Sequence, residues 1–247
     1  PKGLVVEIGS NDGTLLKFFK NRGFNVLGVD PSGPPAAKAI SEGIPTLISS
    51  FNRKTARHII KMYGKADCII GNNVLAHDDN LHDFAEGVSE LLAKNSPAFF
   101  EFQYLPKLLE DNEFDNIYHE HRSFFALSPL VKLFGYYGLS IMTAMETPRQ
   151  GGSIRVTLAH GEKQMDTIGK KLLAKEKSLA LDRPQTYTRL GEKAHEIRRT
   201  LTRTLQNLKA QGKTIYGYGA SAKGCTLLNY CGISRDLIDC IYDLTSF

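Results

Sequence analysis

The most concentrated reactive chemistry in the chain is a run of polar side chains near its middle. The run consists of Tyr118, His119, Glu120 and His121. Four ionisable groups in a row are costly to bury, and three interpretations are open. The run can be a solvated loop, a metal site to which His77 contributes, or an acid–base cluster of carboxylate, imidazole and phenol. Because adjacent side chains converge poorly on one ion, we favour the acid–base cluster and predict no metal site.

A turn rich in glycine and polar residues follows the first apolar segment. Its candidate ligand contacts are Glu7, Gly9, Asn11, Asp12 and Gly13. Glycine at the end of a first strand lets the backbone turn sharply and approach a ligand closely. A dinucleotide-binding loop would show Gly-x-Gly-x-x-Gly at this point, and this loop does not. The pattern therefore favours a nucleoside cofactor that is not a dinucleotide.

Two further polar clusters stand where later strands are predicted to end. Asp30 closes the second apolar run, where a carboxylate can accept hydrogen bonds from both hydroxyls of a ribose. Asn72, Asn73 and His77 follow the fourth run. Ligands of open parallel sheets bind outside the carboxyl ends of the strands. We therefore predict that Asp30, Asn72 and Asn73 contact the cofactor and that His77 faces the substrate, although a lone histidine is more often a surface or capping residue.

A second glycine-rich turn lies near the end of the chain, at residues 217–224. It contains Ser221 and Lys223 at the predicted start of a helix. Backbone amides at a helix N-terminus together with a lysine form a natural seat for a phosphate. A tight packing turn is the alternative. The phosphate interpretation makes Ser221 and Lys223 candidate substrate contacts.

Alternating apolar and amphipathic segments must position these residues. Strands are predicted at residues 4–8, 25–29, 46–48, 66–70 and 97–102, and helices at 14–21, 34–42, 53–62 and 81–92. Strands that alternate with helices predict a parallel sheet with right-handed crossovers. Two later runs, 139–145 and 154–158, flank a turn with proline and glycine and predict an antiparallel hairpin at the sheet edge.

The second half of the chain changes character. Residues 103–122 are predicted to be irregular, and a helix follows at 128–137. A long helix at 188–210 precedes a strand at 214–219, a helix at 222–230 and a strand at 237–242. These last elements form one βαβ unit, which buries little apolar surface by itself, so we expect further chain to complete it. We predict two domains, at residues 1–160 and 161–247.

Composition limits the class of partner. The 247 residues are 42% hydrophobic and 23% charged, which is ordinary for a soluble globular protein, and no run approaches the roughly 20 apolar residues of a membrane span. The net charge of +5 suits a phosphate-bearing small molecule. Basic residues concentrate at 170–177 and 198–213, which look like solvated helix faces, so we predict no nucleic-acid partner. The four cysteines, Cys68, Cys225, Cys231 and Cys240, form no Cys-x-x-Cys pair and are predicted to be reduced core residues of a cytoplasmic protein.

Five motifs occur in one order along the chain, at residues 6–13, 72–77, 117–121, 151–156 and 217–224. The first resembles motif I of class I S-adenosylmethionine-dependent methyltransferases. Together they closely resemble the sugar C-methyltransferases of deoxysugar pathways. The resemblance implies a class I, Rossmann-like α/β sheet with an antiparallel edge hairpin, followed by a partial second Rossmann-like domain. It also implies S-adenosylmethionine as the cofactor and methylation of a carbon in a thymidine-diphosphate keto-sugar.

The resemblance also assigns roles to individual residues. His121 corresponds to the proposed base, with Tyr118 and Glu120 beside it and His77 as a further candidate. A neutral imidazole takes up a proton near pH 7, and a tyrosine hydroxyl can donate to an enolate oxygen. Arg155, in the fourth motif, becomes a candidate substrate contact.

Members of this family also carry an N-terminal domain with a cysteine-rich zinc site and a longer C-terminal domain. The chain begins at Pro1 without an initiator methionine, so we expect it to be a fragment, with zinc only in the absent domain. An O-methyltransferase and an inactive cofactor-binding module remain alternatives. A dehydrogenase is disfavoured by the first loop, and the oligomeric state stays open.

Overall fold

The structure, a computed structural model, describes residues 2–244 and divides into two compact units. Within the described residues, the first unit comprises 2–105 and 122–178, and the second comprises 106–121 and 179–244. Two segments therefore belong to a different unit than the predicted boundary at residue 160 would give. Residues 161–178 belong to the first unit, and residues 106–121, which include the polar run, belong to the second.

A seven-stranded sheet forms the centre of the first unit. Its strands are β1 Lys2–Ile8, β2 Phe24–Asp30, β3 Thr46–Ile48, β4 Cys68–Asn72, β5 Ala98–Gln103, β6 Leu139–Thr147 and β7 Ser153–His160. The spatial order is β3-β2-β1-β4-β5-β7-β6, with the first five strands parallel and β7 antiparallel to both of its neighbours. The predicted parallel sheet with an antiparallel edge hairpin is confirmed.

Helices surround this sheet and build the second unit. They are α1 Thr14–Lys20, α2 Gly33–Ser41, α3 Arg53–Tyr63, α4 Leu81–Leu91, α5 Leu105–Glu110, α6 Leu127–Tyr136, α7 Thr167–Ser178, α8 Gln185–Ala210 and α9 Ala222–Cys231. Short 3-10 turns occur at Leu75–His77, Phe114–Asn116 and Arg149–Gly151. The expectation that residues 103–122 are irregular is wrong at α5 and at the turn over Phe114–Asn116.

The core of the first unit follows from the alternation of β1. Val6 and Ile8 enter the main core, while Val5 points to the opposite face. The main core is completed by buried residues of α3, α4 and α6, and the smaller core by Leu16 of α1 and Ala39 of α2. The sheet is therefore covered by helices on both faces around β1, which leaves the carboxyl ends of the strands as the place for a ligand.

Helix α7 is held in the first unit by one buried carboxylate. Glu176 is 3% exposed. It accepts hydrogen bonds from the Tyr104 hydroxyl at 2.9 Å and from the N–H groups of Leu127 and Ser128 at 2.5 and 2.8 Å. The last two groups open α6, so Glu176 supplies the N-terminal cap that this helix lacks in its own sequence. The interpretation of residues 170–177 as a solvated face is wrong at Glu176.

The second unit contains a small parallel pair of strands, β8 Tyr216–Tyr218 and β9 Cys240–Tyr242, joined through α9. The predicted βαβ unit is confirmed, although both strands are shorter than predicted. Its core consists of Leu205, Cys231, Ile233 and Leu237, so α8 packs through its apolar stripe.

The cysteines correct one prediction. All four are free, and Cys231 is buried, but Cys225 and Cys240 are exposed and Cys68 is half-buried. The expectation of four core cysteines is wrong for Cys225 and Cys240. Cys240 lies in β9, whose residues are all exposed, and Cys225 lies on the exposed side of α9, which buries Cys231 instead. Within residues 2–244, no helix combines the length and the apolar character needed to cross a membrane.

Candidate functional site

The loop after β1 has a backbone that requires glycine. Gly9 adopts a φ of 70°, and a Cβ atom there would lie 2.2 Å from Cγ1 of Val74. Its N–H donates to the carbonyl of Val29 at 2.8 Å, which fixes the loop against the end of β2. Asn11 also has a left-handed backbone, with a φ of 49°, as asparagine tolerates better than most residues. The loop is thus held close to the strand ends.

Asp30 connects this loop to the end of β2. It is 7% exposed. Its Oδ2 accepts the Asn11 N–H and its Oδ1 accepts the Ser32 N–H, each at 2.8 Å. A carboxylate oxygen has two lone pairs, so both oxygens can accept one further bond each. Asp30 is therefore both an anchor for the loop and a possible acceptor for two hydroxyl groups.

A cleft of about 380 Å³ opens beside Asp30 in the first unit. Six of the residues predicted from sequence line it: Gly9, Asn11, Asp30, Asn72, Asn73 and His77. Its other walls include the apolar side chains of Phe51 and Phe84 and the polar side chains of Ser50 and Asp78. This combination of an apolar wall and strand-end polar groups fits a nucleoside. The lining residues Ser50, Phe51, Asp78 and Phe84 were not predicted.

Three predicted cofactor residues lie outside the lining of this cleft. Asp12 accepts from Lys38 at 2.8 Å and from the Thr14 hydroxyl at 2.6 Å, and these bonds hold the pKa of Asp12 well below its usual range. Gly13 has a φ of 74° and precedes the first residue of α1. Asp12 and Gly13 thus lie directly before α1 and lead the chain into it. Their contact with a cofactor stays a prediction.

Glu7 is the third of these residues, and it is buried. Its side chain lies on β1 with 5% exposure, and its Oε2 has no hydrogen-bond partner among the described residues. Burial, together with the charges of Asp30 and Asp12, raises the pKa of Glu7 to about 8. Glu7 is therefore neutral at pH 7, and a cofactor contact for it also stays a prediction.

Arg155 is engaged by a carboxylate that the sequence did not reveal. Its Nε and Nη2 both contact Oε2 of Glu101, at 3.0 and 2.7 Å. Glu101 lies in β5, is 4% exposed and stands opposite Arg155 across the β5–β7 pair. The sequence signal that could have revealed Glu101 is its position as the single charged residue within the apolar run of residues 98–102.

In the polar run of the second unit, both ring nitrogens of His121 have hydrogen-bond partners. Nε2 of His121 lies 3.2 Å from the Tyr118 hydroxyl, and the ring centroids are 4.3 Å apart. Nδ1 of His121 lies 2.9 Å from the carbonyl oxygen of Asn116. A carbonyl only accepts, so in the neutral ring Nδ1 carries the proton, and the lone pair of Nε2 accepts from the Tyr118 hydroxyl. This tautomer suits His121 to take up a proton.

The neighbours of His121 complete the run. Burial, and then the charge of Glu120, raise the pKa of Tyr118, so its phenol stays a proton donor at neutral pH. The side chains of His119 and Glu120 are 89% and 60% exposed, and they approach each other to 3.9 Å. Across residues 2–244, no three His, Cys, Asp or Glu side chains are grouped so that they could hold a metal ion. The role of Tyr118 and His121 as an acid–base pair stays a prediction.

The second glycine-rich turn contacts the same segment within the second unit. Ser221 caps α9 by accepting the Gly224 N–H at 3.2 Å. Nζ of Lys223 lies 3.6 Å from Oε2 of Glu113, which also accepts from Asn116 Nδ2 at 2.5 Å. Because Asn116 holds His121, the turn and the acid–base pair are connected through Glu113. His77, by contrast, belongs to the first unit.

The fold is shared with known methyltransferases. The magnesium protoporphyrin IX methyltransferase of Synechocystis, solved with bound S-adenosylhomocysteine, superposes with a TM-score of 0.51 at 18% identity, over 65% of this chain and 75% of that chain. A putative sarcosine dimethylglycine methyltransferase of Galdieria sulphuraria superposes with a TM-score of 0.51 at 8% identity, over 66% and 80%. At these identities the likeness shows the class I fold alone.

Family comparisons narrow this class. Residues 1–144 match a methyltransferase domain, and residues 148–247 match a C-methyltransferase C-terminal domain. The C-methyltransferase NovU of Streptomyces niveus is 35% identical over 244 residues, which is 98% of this chain but 58% of that protein. The chain therefore belongs to the methyltransferase family whose domain covers residues 1–144, and it is similar to C-methyltransferases over residues 148–247. It spans less than two thirds of the length of the C-methyltransferase NovU.

Proposed function

We propose that the chain is the catalytic part of an S-adenosylmethionine-dependent enzyme that methylates a carbon of a nucleotide-linked keto-sugar, with thymidine diphosphate as the nucleotide. The observation that carries this proposal is the Tyr118–His121 pair. It combines a nitrogen lone pair with a neutral phenol, which are the two groups that enolisation of a ketone requires. The similarity of residues 148–247 to a C-methyltransferase C-terminal domain supports the same chemistry.

Carbon methylation differs from oxygen methylation in its first step. A C–H bond must lose its proton, and a neighbouring ketone makes this feasible because the negative charge moves to oxygen as an enolate. A positioned general base contributes on the order of 10²–10⁴-fold to such a step. When bound, S-adenosylmethionine supplies a methyl group that is electrophilic because it is attached to a sulfonium.

The roles follow from the geometry. His121 Nε2 takes the proton from carbon, while the Asn116 carbonyl keeps Nδ1 protonated and the ring in place. When the substrate binds, the Tyr118 hydroxyl leaves Nε2 of His121 and donates its proton to the developing enolate oxygen instead. Glu120 stabilises the imidazolium that forms, and His77 is the second candidate for the base.

The cofactor is assigned to the cleft of the first unit. Asp30 accepts from the two ribose hydroxyls, and Gly9 allows the loop backbone to approach the ligand. Asn72 and Asn73 line the same cleft beyond the ends of β1 and β4. These residues fit an adenosine without a Gly-x-Gly-x-x-Gly loop.

The diphosphate of the substrate is assigned to the second glycine-rich turn. Lys223 provides a positive charge, and Ser221 places the first amides of α9 at the turn. The contact of Lys223 with Glu113 joins the proposed phosphate seat to the segment of the base. The free cysteines fit a reducing compartment, and we propose the cytoplasm. A zinc-binding domain elsewhere in the protein stays a prediction.

The decisive experiment separates enolisation from methyl transfer. The chain is incubated in D₂O with thymidine-diphosphate keto-deoxysugars, and deuterium incorporation beside the ketone is followed by NMR with and without S-adenosylmethionine. We expect exchange by the wild type and at least a hundredfold slower exchange by His121→Asn, in line with the loss of a general base. Addition of the cofactor should then yield a C–CH₃ signal.

Two results would contradict the proposal. A methyl ether as the product would identify an O-methyltransferase, which needs a base but no exchange at carbon. Absence of both exchange and product with every keto-sugar, in a chain that binds the cofactor, would favour an inactive cofactor-binding module.

A further inference from the structure

Three polar side chains form a row across one face of the sheet in the first unit. Asn72 stands opposite Glu101 in the β4–β5 pair, and Glu101 stands opposite Arg155 in the β5–β7 pair. Residues directly opposite each other on neighbouring strands present their side chains to the same face. The row therefore runs from the end of β4 to β7, and family motifs gave no reason to expect Glu101 in it.

This row lines a second cavity, of about 720 Å³. The hairpin turn between β6 and β7 adds Arg149 and Gln150 to the lining. The cavity shares Asn72 and Asn73 with the cleft assigned to the adenosine. A ligand seated in the first cleft can therefore extend past these two asparagines into the second cavity without leaving the unit.

The hairpin turn has a fixed shape. Gln150 adopts a left-handed backbone, with φ 50° and ψ 42°. The carbonyl of Arg149 accepts the Gly152 N–H at 2.9 Å and the Ser153 hydroxyl at 3.1 Å. These bonds hold the backbone of Arg149 at the cavity.

The charges of the cavity are paired in a way that suits a zwitterion. The Glu101 side chain is 5% exposed, and both contacts from Arg155 end on its Oε2, which leaves Oε1 to accept from a cationic group. The Arg155 side chain is 43% exposed, and Arg149 is exposed as well. A guanidinium binds a carboxylate through paired hydrogen bonds. One buried carboxylate and two arginines in the lining of one cavity match an ammonium and a carboxylate on the same carbon.

We propose that this cavity binds the amino-acid end of S-adenosylmethionine, with its ammonium on Glu101 and its carboxylate on Arg155 and Arg149. The assignment rests on the proposed function, because the adenosine must occupy the neighbouring cleft. Under this assignment Arg155 contacts the cofactor and not the substrate, for which the sequence made it a candidate. Glu101 thereby becomes a binding residue.

Two ligands that differ only at this end test the assignment. S-adenosylhomocysteine has the amino-acid end, and 5′-methylthioadenosine lacks it. Their dissociation constants are measured by calorimetry on the wild type, Arg149→Gln, Glu101→Gln and Arg155→Gln. We expect each variant to bind S-adenosylhomocysteine about 10- to 100-fold more weakly, as for the loss of a hydrogen bond to a charged group. Binding of 5′-methylthioadenosine should change less than threefold.

The second ligand also reports on folding, because it needs only the adenosine cleft. Arg149→Gln, on an exposed turn, keeps the test valid if a substitution in the buried pair disrupts the sheet. Arg57→Gln, which breaks an exposed pair with Glu90 in the same unit, is the matched control and should change neither affinity.

The outcomes separate this inference from the proposed function. Unchanged S-adenosylhomocysteine binding in all three variants, or equal losses for both ligands, would overturn the assignment and leave the cofactor cleft in place. Failure of the wild type to bind either ligand would overturn the proposed function and this inference together.

Discussion

Each unit contains a strand, a glycine-rich turn, a helix and a second strand with an aspartate at its carboxyl end. The aspartate is the last residue of β2 in the first unit and follows β9 in the second. In the first unit, Asn11 N–H donates to Asp30 Oδ2 at 2.8 Å, and in the second, Ala220 N–H donates to Asp243 Oδ2 at 2.6 Å. The local geometry is the same, but Asp30 is buried below a seven-stranded sheet, whereas Asp243 is exposed beside two strands. The two turns therefore differ in burial, and the buried aspartate is the one that lines a cleft.

The largest expected contrast comes from removing the two aspartates. Asp30→Ala leaves the part-buried N–H groups of Asn11 and Ser32 without their acceptor and should lower the free energy of unfolding by about 2–5 kcal/mol. Asp243→Ala should cost less than about 1 kcal/mol, because water replaces the acceptor at an exposed site. Urea unfolding of both variants measures the difference. Equal losses would mean that burial does not distinguish the turns.

The buried carboxyl of Glu7 gives the first unit a stability that depends on pH. Its folded pKa of about 8 lies above the ordinary value of 4.5, so the folded chain binds more protons between these limits. Glu7 therefore makes the wild type lose stability as pH rises from about 5 to 8, on the order of 2 kcal/mol. Glu7→Gln should remove this loss. A pH series of urea unfolding curves that is the same for both proteins would contradict the burial of an uncompensated carboxyl.

Two glycines with left-handed backbones offer a matched pair. In Gly9→Ala the new methyl meets Val74 and the φ is 70°, so we expect a loss of about 1–3 kcal/mol. Gly219 has a φ of 92°, but nothing lies within 4 Å of its Cβ position, so Gly219→Ala should cost about 1 kcal/mol. Thermal melts of the two variants measure the difference. A larger loss for Gly219→Ala would reverse the ranking.

The smallest effect on stability is expected at Lys223. Its contact with Glu113 is long, at 3.6 Å, and partly exposed, so Lys223→Gln should change the free energy of unfolding by less than about 1 kcal/mol. The same variant should raise the KM for a thymidine-diphosphate sugar, with kcat less affected, if Lys223 binds the diphosphate. An unchanged KM would leave the turn with a packing role only.

Sequence reasoning succeeded where position along a strand determines position in the site. Asp30, Asn72 and Asn73 were predicted to contact the cofactor because each stands at the end of a parallel strand. All three line one cleft, and the contact itself stays a prediction. Glu101 and Glu176 escaped prediction because their partners are 54 and 72 residues away, at Arg155 and Tyr104. Only the order of the strands and the docking of α7 bring these groups together, and neither leaves a local pattern.

The polar run shows the same limit on a smaller scale. The residue types of Tyr118 and His121 suggested an acid–base pair, but the tautomer depends on the Asn116 carbonyl, a backbone group that residue types do not reveal. The 3-10 turn at Phe114–Asn116 places that carbonyl, and it lies in a segment expected to be irregular.

The most direct test of the central claim is a calorimetric titration of the chain with S-adenosylhomocysteine and, separately, with NAD. We predict binding of S-adenosylhomocysteine that is lost in Asp30→Ala, and no binding of NAD. Binding of NAD without S-adenosylhomocysteine would contradict the assignment of the first cleft, and with it the methyltransferase function.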